Sequence, residues 1–216
     1  MTYLEAINEV LARLRESSVT TIAQNSYAIL ISKFVNDAKR QVEDAWEWDA
    51  QNTSLTVTTS SGISTYTVTG SGMKQKMVSA NITTSGRQCA LRPVSMKWIQ
   101  DMQQLTTSTN APPMYYAWNG TDGTDSKVEL YNTPNDTYTI SFNMNVPQVA
   151  LTAASDIIIA PSDAIVMGAY ARALAERGED GAMASSEAYG LFKGILADRI
   201  ALESARNVDY SEWVVV

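Results

Sequence analysis

The sequence predicts an α+β protein in which helices from both chain ends form one antiparallel bundle, with an antiparallel β domain inserted between them. Residues 2–48 and 162–206 repeat apolar residues at helical spacing, whereas residues 50–150 are rich in Thr and alternate in polarity. Neither helical segment can bury all its apolar stripes alone. We therefore predict N-terminal helices at 1–49, the inserted β domain at 50–150, C-terminal helices at 151–206 and an extended apolar tail at 207–216.

The composition disfavours catalysis and metal binding. The 216 residues carry a formal net charge of −7, no histidine and one cysteine, Cys89. Histidine is the commonest general base near neutral pH and the commonest metal ligand, and one cysteine cannot make a disulfide or a cysteine-based zinc site within the chain. We expect no enzyme activity, no cofactor and no metal, and we interpret Cys89 as a small buried residue of a strand.

Membrane and nucleic-acid partners are also constrained. No apolar run approaches the roughly 20 residues that a membrane span needs, so we expect no membrane partner. Met1 leads directly into a charged amphipathic helix, and we expect no N-terminal signal. The acidic balance disfavours tight binding to the phosphate backbone, although duplex DNA can pass such a surface without being held.

Two helices are predicted before the β domain. Thr2 and Glu5 have the spacing of a capping box, and the helix that they begin is expected to end near Glu16. A second helix is expected from about Asn25 to Trp46, with a length of roughly 33 Å at the usual rise per residue.

The first half of the β region is expected to form two hairpins. Residues 55–58 and 65–68 flank a Ser-Ser-Gly turn signal. Residues 76–83 and 88–92 are predicted to pair across Ser85-Gly86.

The second half is expected to begin with a short helix or a turn between Ser95 and Gln104. Strands are then expected at residues 114–118, 127–131 and 138–146. The first two are joined by a turn rich in Asn, Asp and Gly, which lacks the spacing of a calcium loop. We interpret it as a plain hairpin turn.

Two helices are predicted after the β domain. Pro161 begins the first and Gly178 ends it, and its many small residues imply close helix–helix approach. The last helix is expected to end at Arg206, with an apolar arc wider than a surface helix needs. Gly190 and Gly194 each cost about 1 kcal/mol relative to alanine. We predict that they pack closely against another helix, of the same subunit or of a neighbour.

The tail is predicted to be an interaction segment. Its last seven residues include five large apolar ones, which are Tyr210, Trp213, Val214, Val215 and Val216. Terminal segments are usually polar and loose. We predict that this tail is disordered in the free subunit and docks on another chain, by strand addition or by placing Trp213 in a pocket. The alternative is that it folds back on its own bundle.

Several short stretches occur in an order and spacing typical of one protein family. They are Leu91-Arg92-Pro93-Val94, Tyr115-Tyr116-Ala117-Trp118, Leu130-Tyr131-Asn132-Thr133-Pro134, Leu151-Thr152 through Asp156, Pro161, and Ala173-Leu174-Ala175-Glu176-Arg177-Gly178-Glu179-Asp180. With them the chain, over roughly residues 2–206, resembles the head–tail adaptor (connector or neck) proteins of tailed bacteriophages. None of the stretches is a catalytic signature.

The resemblance implies a structural protein of the virion neck, made in the cytoplasm of the host bacterium. It implies a homo-oligomeric ring, a dodecamer, beneath the portal protein, which extends the DNA channel and docks the nozzle or tail protein. Duplex DNA would pass through the lumen without sequence-specific binding. Residues 207–216 match no pattern of this family.

The alternative function is a β-rich module of a virion tail that binds a carbohydrate or a receptor. Trp98, Tyr115, Tyr116 and Trp118 would form its stacking platform. Aromatic residues in strands belong more often to a core, and this alternative leaves the helical segments unexplained.

Overall fold

A computed structural model describes residues 1–84, 86, 88–105, 110–178 and 183–206 of the chain. These residues form five α-helices and two four-stranded sheets, so the protein is mixed α+β, as predicted. The helices are α1 (Tyr3–Arg13), α2 (Ser26–Ala45), α3 (Met96–Leu105), α4 (Ser162–Arg177) and α5 (Met183–Arg206). The strands are β1 (Asn52–Thr58), β2 (Thr65–Thr67), β3 (Lys76–Ile82), β4 (Cys89–Ala90), β5 (Arg92–Pro93), β6 (Tyr115–Thr121), β7 (Ser126–Tyr131) and β8 (Thr139–Asn145).

The chain divides into two compact units. The helical unit consists of Met1–Ala50 together with the chain from Gln148 onward, and the β unit is Gln51–Pro147. Each unit has its own apolar core.

Helix ends in the helical unit follow local sequence signals. The capping box is confirmed, since the Thr2 amide donates to Glu5 at 2.8 Å and the Glu5 amide donates to the Thr2 hydroxyl at 3.2 Å. α1 ends at Arg13, before the predicted Glu16, because Arg15 takes a left-handed conformation with φ of 59°. Gly178 ends α4 with φ of 64°, as predicted.

Gly168 of α4 makes a close contact with two other helices of the helical unit. A Cβ atom added there would lie 3.1 Å from the ring of Phe192 on α5 and 3.2 Å from the Cβ of Ala38 on α2. Three helices therefore meet at a position that only glycine fits without a shift. The close approach predicted from the small residues of α4 is confirmed here.

A polar stripe on α2 holds the segment that precedes α4. The Asn36 side chain accepts from the Leu151 amide at 2.9 Å and donates to the Leu151 carbonyl at 3.1 Å. It also donates to the hydroxyl of Tyr3, which donates in turn to the Ser32 carbonyl. One amide side chain thus joins α1, α2 and the extended segment.

The β unit contains two sheets in the orders β1-β8-β3-β4 and β2-β7-β6-β5. The predicted hairpin between residues 55–58 and 65–68 is wrong, because β1 pairs with β8 and β2 pairs with β7. β1 pairs with β8 because β8 offers it a buried apolar face. Its residues Ile140, Phe142 and Met144 are fully buried, and Leu55 and Val57 pack beside them.

Two further predictions for this unit need correction. The domain is not wholly antiparallel, since β5 runs parallel to β6. Cys89 is exposed rather than buried, because β4 is only two residues long and pairs with β3 at the edge of its sheet. The other predicted pairings are confirmed: β3 pairs with β4, and β6 with β7.

The turn between β6 and β7 is a plain hairpin turn, as interpreted. The Asp122 carboxylate accepts from the amides of Thr124 at 2.9 Å and Asp125 at 2.8 Å. These backbone hydrogen bonds lower the pKa of Asp122.

Candidate interaction surfaces

The predicted tail residues Tyr210, Trp213, Val214, Val215 and Val216 lie outside the described residues. The description ends at Arg206, the last residue of α5. The described surfaces next to Arg206 are the faces of α5 and the groove beside this helix.

α5 buries one face and exposes apolar side chains on others. Ala188 and Phe192 are 3% and 0% exposed and join the core of the helical unit. Leu191 and Leu202 are 53% and 56% exposed. The wide apolar arc predicted for this helix is thus present, and only part of it is covered by the described chain.

Gly190 and Gly194 lie on the exposed side of α5. A Cβ atom added at either position would meet nothing within 4 Å. No helix of the described chain therefore packs against them, and the close packing within the subunit occurs at Gly168 instead. We predicted that Gly190 and Gly194 pack against a helix of the same subunit or of a neighbour. Packing against a neighbouring subunit stays a prediction.

A groove of about 420 Å³ lies along the end of α5. Four residues of α5 line one side. The segment before β1 and the segment that leads into the first turn of α4 line the other. The lining residues are Trp48, Asp49, Ala50, Ile158, Ile159, Ala160, Pro161, Ser162, Asp163, Arg199, Leu202, Glu203 and Arg206. We name this feature the α5 groove. All of its lining residues belong to the helical unit.

The lining of the α5 groove has an apolar part and a part formed by ion pairs. Trp48, Ile158 and Ala160 are buried, whereas Ile159 and Leu202 are 45% and 56% exposed. Trp48 is fixed by a hydrogen bond from its Nε1 to the Val42 carbonyl at 2.8 Å. The apolar part of the α5 groove therefore combines buried side chains with two large ones that are still in contact with water.

Two ion pairs border the α5 groove. Arg199 pairs with Asp163, with 2.6 Å between Nη2 and Oδ2. Glu203 accepts from the Asp49 amide at 2.9 Å and pairs with Arg206 at 3.4 Å. These contacts join α5 to both segments that form the opposite wall.

The aromatic residues of the proposed carbohydrate platform do not form one surface. Trp98 of α3 packs on Tyr115 and Tyr131, with ring centroids 4.9 Å and 5.3 Å apart. Tyr116 and Trp118 instead pack against Phe142 in the core of the β unit, at 6.1 Å and 6.4 Å. Because adjacent residues of a strand face opposite sides of its sheet, the four aromatic residues of the alternative function belong to two separate clusters.

The described residues contain no helix long and apolar enough to cross a membrane. Among those same residues, no group of three or more Cys, Asp or Glu side chains is placed to hold a metal ion.

A comparison with protein families identifies the family of this chain. The family model described as SU10 adaptor protein matches residues 1–213. The chain belongs to the SU10 adaptor protein family. This is a family of phage head–tail adaptors, so the predicted resemblance is confirmed and the adaptor is a component of a phage virion. No curated protein matches the adaptor.

The α5 groove of the adaptor is the surface that sequence reasoning missed. Its walls come from three segments far apart in the chain, around residues 48–50, 158–163 and 199–206. The one available signal was the apolar arc of α5, which includes Leu202. No local pattern shows that Trp48 and Ile158 lie beside it.

Proposed function

We propose that the adaptor forms a ring, a dodecamer, beneath the portal protein of a tailed-phage virion, where it extends the DNA channel and docks the nozzle or tail protein. The observation that carries this proposal is the family match over residues 1–213, which includes both helical ends and the β region. The role is structural and requires neither catalysis nor a cofactor.

The helical unit supplies the bundle of this proposed ring, and residues 50–150 supply the inserted domain. The shared core supports this arrangement, since buried residues of α1, α2, α4 and α5 form one apolar cluster. Gly168 supports it further, because it lies against side chains of both α2 and α5. Close packing between these helices suits a subunit that keeps its shape within an assembly.

Neighbouring subunits pack against the exposed face of α5 in this proposal. Gly190 and Gly194 weaken the helix by about 1 kcal/mol each relative to alanine, and the described chain offers no contact in return. A helix of the next subunit that approaches these glycines would supply that contact. The exposed Leu191 adds apolar area next to the pair.

The tail docks the adaptor on another chain, the portal or an adjacent adaptor. Five large apolar residues among the last seven support this role. Strand addition by the valines or insertion of Trp213 into a pocket are the two modes of docking.

DNA passes through the lumen without being held. The net charge of −7 supports this part of the proposal, because rows of lysine and arginine would retain the phosphate backbone. The virion is the site of action, after synthesis in the cytoplasm of the host bacterium.

The test of this function is binding to the portal protein. Purified adaptor is mixed with assembled portal and sedimented through a gradient, beside a variant that lacks Tyr210–Val216. We expect the full-length adaptor to sediment with the portal and the shortened variant to stay folded at the top. Full-length adaptor that fails to sediment with the portal would contradict the proposed function, and equal binding by the shortened variant would contradict the role of the tail.

A further inference from the structure

Among the strands that the structure describes, β1 is the longest one at a sheet edge. The first sheet ends at β1 and β4, and the second ends at β2 and β5. β4 and β5 have two residues each and β2 has three, whereas β1 has seven. Proteins keep sheet edges from pairing with other chains by short edge strands, proline, charged residues or bulges. β1 contains no proline and no charged residue, and its register with β8 is continuous.

Alternate backbone groups of β1 point away from β8. In an antiparallel pair every second residue exchanges hydrogen bonds with the neighbouring strand, and the residues between them direct their groups to the other side. The Thr59 amide donates to the Tyr138 carbonyl at 2.8 Å, and the Gln51 carbonyl accepts from the Val146 amide at 3.1 Å. The odd-numbered residues of β1 therefore bond to β8. No described strand pairs with the outer edge formed by the even-numbered residues, which are Asn52, Ser54, Thr56 and Thr58.

The two faces of β1 differ in polarity. The even-numbered side chains are polar, uncharged and exposed. The opposite face carries Leu55 and Val57, which contact the apolar core of the β unit. Val57 is buried, whereas Leu55 is only partly buried. A strand added beside β1 would cover Leu55 if it carried an apolar residue on this face and uncharged polar residues on the other.

We propose that the outer edge of β1 is the pairing site for β1 of a second adaptor chain. The occupant is a second copy because β1 itself has the required pattern of side chains. In the antiparallel register centred on Leu55, all residues of the two strands overlap. Leu55 then lies opposite Leu55 of the second copy, and Ser54 lies opposite Thr56. Both Ser54 and Thr56 direct their backbone groups to the outer edge, so these groups can bond to each other.

The parity of β1 excludes a register shifted by one residue. Such a shift would place the even-numbered residues of one copy opposite odd-numbered residues of the other, whose backbone groups already bond to β8. The centred register also avoids charge repulsion. The chain carries a net charge of −7, but none of its charged residues lies in β1. Cross-strand pairs of serine and threonine contribute to the stability of antiparallel sheets. The two four-stranded sheets would thus join into one continuous sheet.

This inference goes beyond the proposed function and does not depend on a ring. Neighbours in a closed ring of more than two subunits meet through two different patches, whereas β1 pairing uses the same patch twice. The β1 pair is therefore a contact of the free adaptor, separate from the contact between ring neighbours. It covers an edge that is otherwise open to pairing with unrelated chains.

Proline at Thr56 tests the pairing without removing a hydrogen bond of the subunit. Thr56 directs its N–H to the outer edge, and proline is tolerated at such positions of edge strands. Thr56→Val is the matched control, because it changes the same side chain and keeps the N–H. Circular dichroism verifies that both variants are folded.

Analytical ultracentrifugation of the full-length adaptor, without portal protein and over a range of concentrations, measures the pairing. We expect a monomer–dimer equilibrium for the wild type and a similar one for Thr56→Val. Thr56→Pro should raise the dissociation constant of the dimer at least about tenfold, because symmetry removes the same donor from both chains.

Three results would overturn the proposal. They are a wild-type adaptor that forms no dimer up to about 100 μM, dimers that Thr56→Pro does not weaken, and equal weakening by Thr56→Val. If Thr56→Pro unfolds the adaptor, NMR measures the exchange of single amides in the wild type instead. The amides of Ser54 and Thr56 should exchange more slowly as the protein concentration rises, while the Leu55 amide, which bonds to β8, stays protected throughout. Exchange at Ser54 and Thr56 that does not change with concentration would also overturn the proposal.

Discussion

Lys39 and Glu43 form a buried ion pair one turn apart on α2, with 3.1 Å between Nζ and Oε2 and 1% of each side chain exposed. The backbone of Gln148 completes the pair. Its carbonyl accepts from Lys39 at 2.5 Å, and its amide donates to Glu43 at 3.2 Å. The pair therefore fixes the point at which the chain re-enters the helical unit.

Replacing Lys39 should destabilise the adaptor strongly. Lys39→Met removes the cation beside a buried carboxylate, and breaking such a pair costs about 3–5 kcal/mol. Urea denaturation followed by circular dichroism measures the change in the free energy of unfolding. The double variant Lys39→Met, Glu43→Leu is the control, and it should recover most of the loss because no charge stays buried. A single variant as stable as the wild type would show that the pair is not important for folding.

The cost of Lys39→Met should depend on pH. Burial raises the pKa of Glu43 in the folded protein, and Lys39 opposes that shift. A raised carboxyl pKa favours folding below the pKa of the unfolded chain, and this contribution is lost as pH rises through the folded value. Without Lys39 the pKa rises further. The loss of stability should therefore be smaller at about pH 5 than at about pH 8, because protonation makes buried Glu43 neutral. An equal loss at both values would contradict this account of Glu43.

Alanine should have opposite effects at two glycines. Gly168→Ala places a Cβ atom 3.1 Å from the ring of Phe192, and we expect a loss of about 1–3 kcal/mol from overpacking. Gly190→Ala meets open space, and we expect a gain of up to about 1 kcal/mol in the free energy of unfolding, because alanine is the better helix former. Thermal denaturation of the two variants compares them directly. Equal effects would argue against the close contact at Gly168.

A larger side chain at Gly190 or Gly194 should separate folding from assembly. A Cβ atom at either position meets nothing within 4 Å in the described chain, so we expect leucine there to leave the melting temperature near that of the wild type. In the proposed ring the same side chain would overlap the neighbouring helix, and assembly should fail. Analytical ultracentrifugation with and without portal protein distinguishes the two effects. Normal assembly of both variants would show that this face of α5 does not contact the neighbouring subunit.

The helices could be predicted from sequence because their signals are local. The cap formed by Thr2 and Glu5 and the terminal Gly178 each lie within a few residues of the helix that they limit. Strand partners could not be predicted in the same way. The Ser-Ser-Gly turn favoured a local hairpin, yet β1 pairs with the distant β8, whose buried face offers more apolar contact.

The candidate surfaces were predictable only where they follow one helix. The sequence of α5 alone shows Gly190 and Gly194 four residues apart on one helix. Trp48 and Ile158 lie together with Leu202 in the α5 groove only because of the tertiary structure. Exposure of Cys89 likewise depends on the length of β4, which no propensity determines.

Electron microscopy of the virion neck tests the central claim most directly. Averaging of neck particles, with the adaptor located by an antibody or a fused tag, gives its position and copy number. The account predicts a ring of twelve adaptor subunits between the portal and the tail, with a central channel wide enough for duplex DNA. An adaptor located at fibre tips, or one present as single copies without a ring, would contradict it.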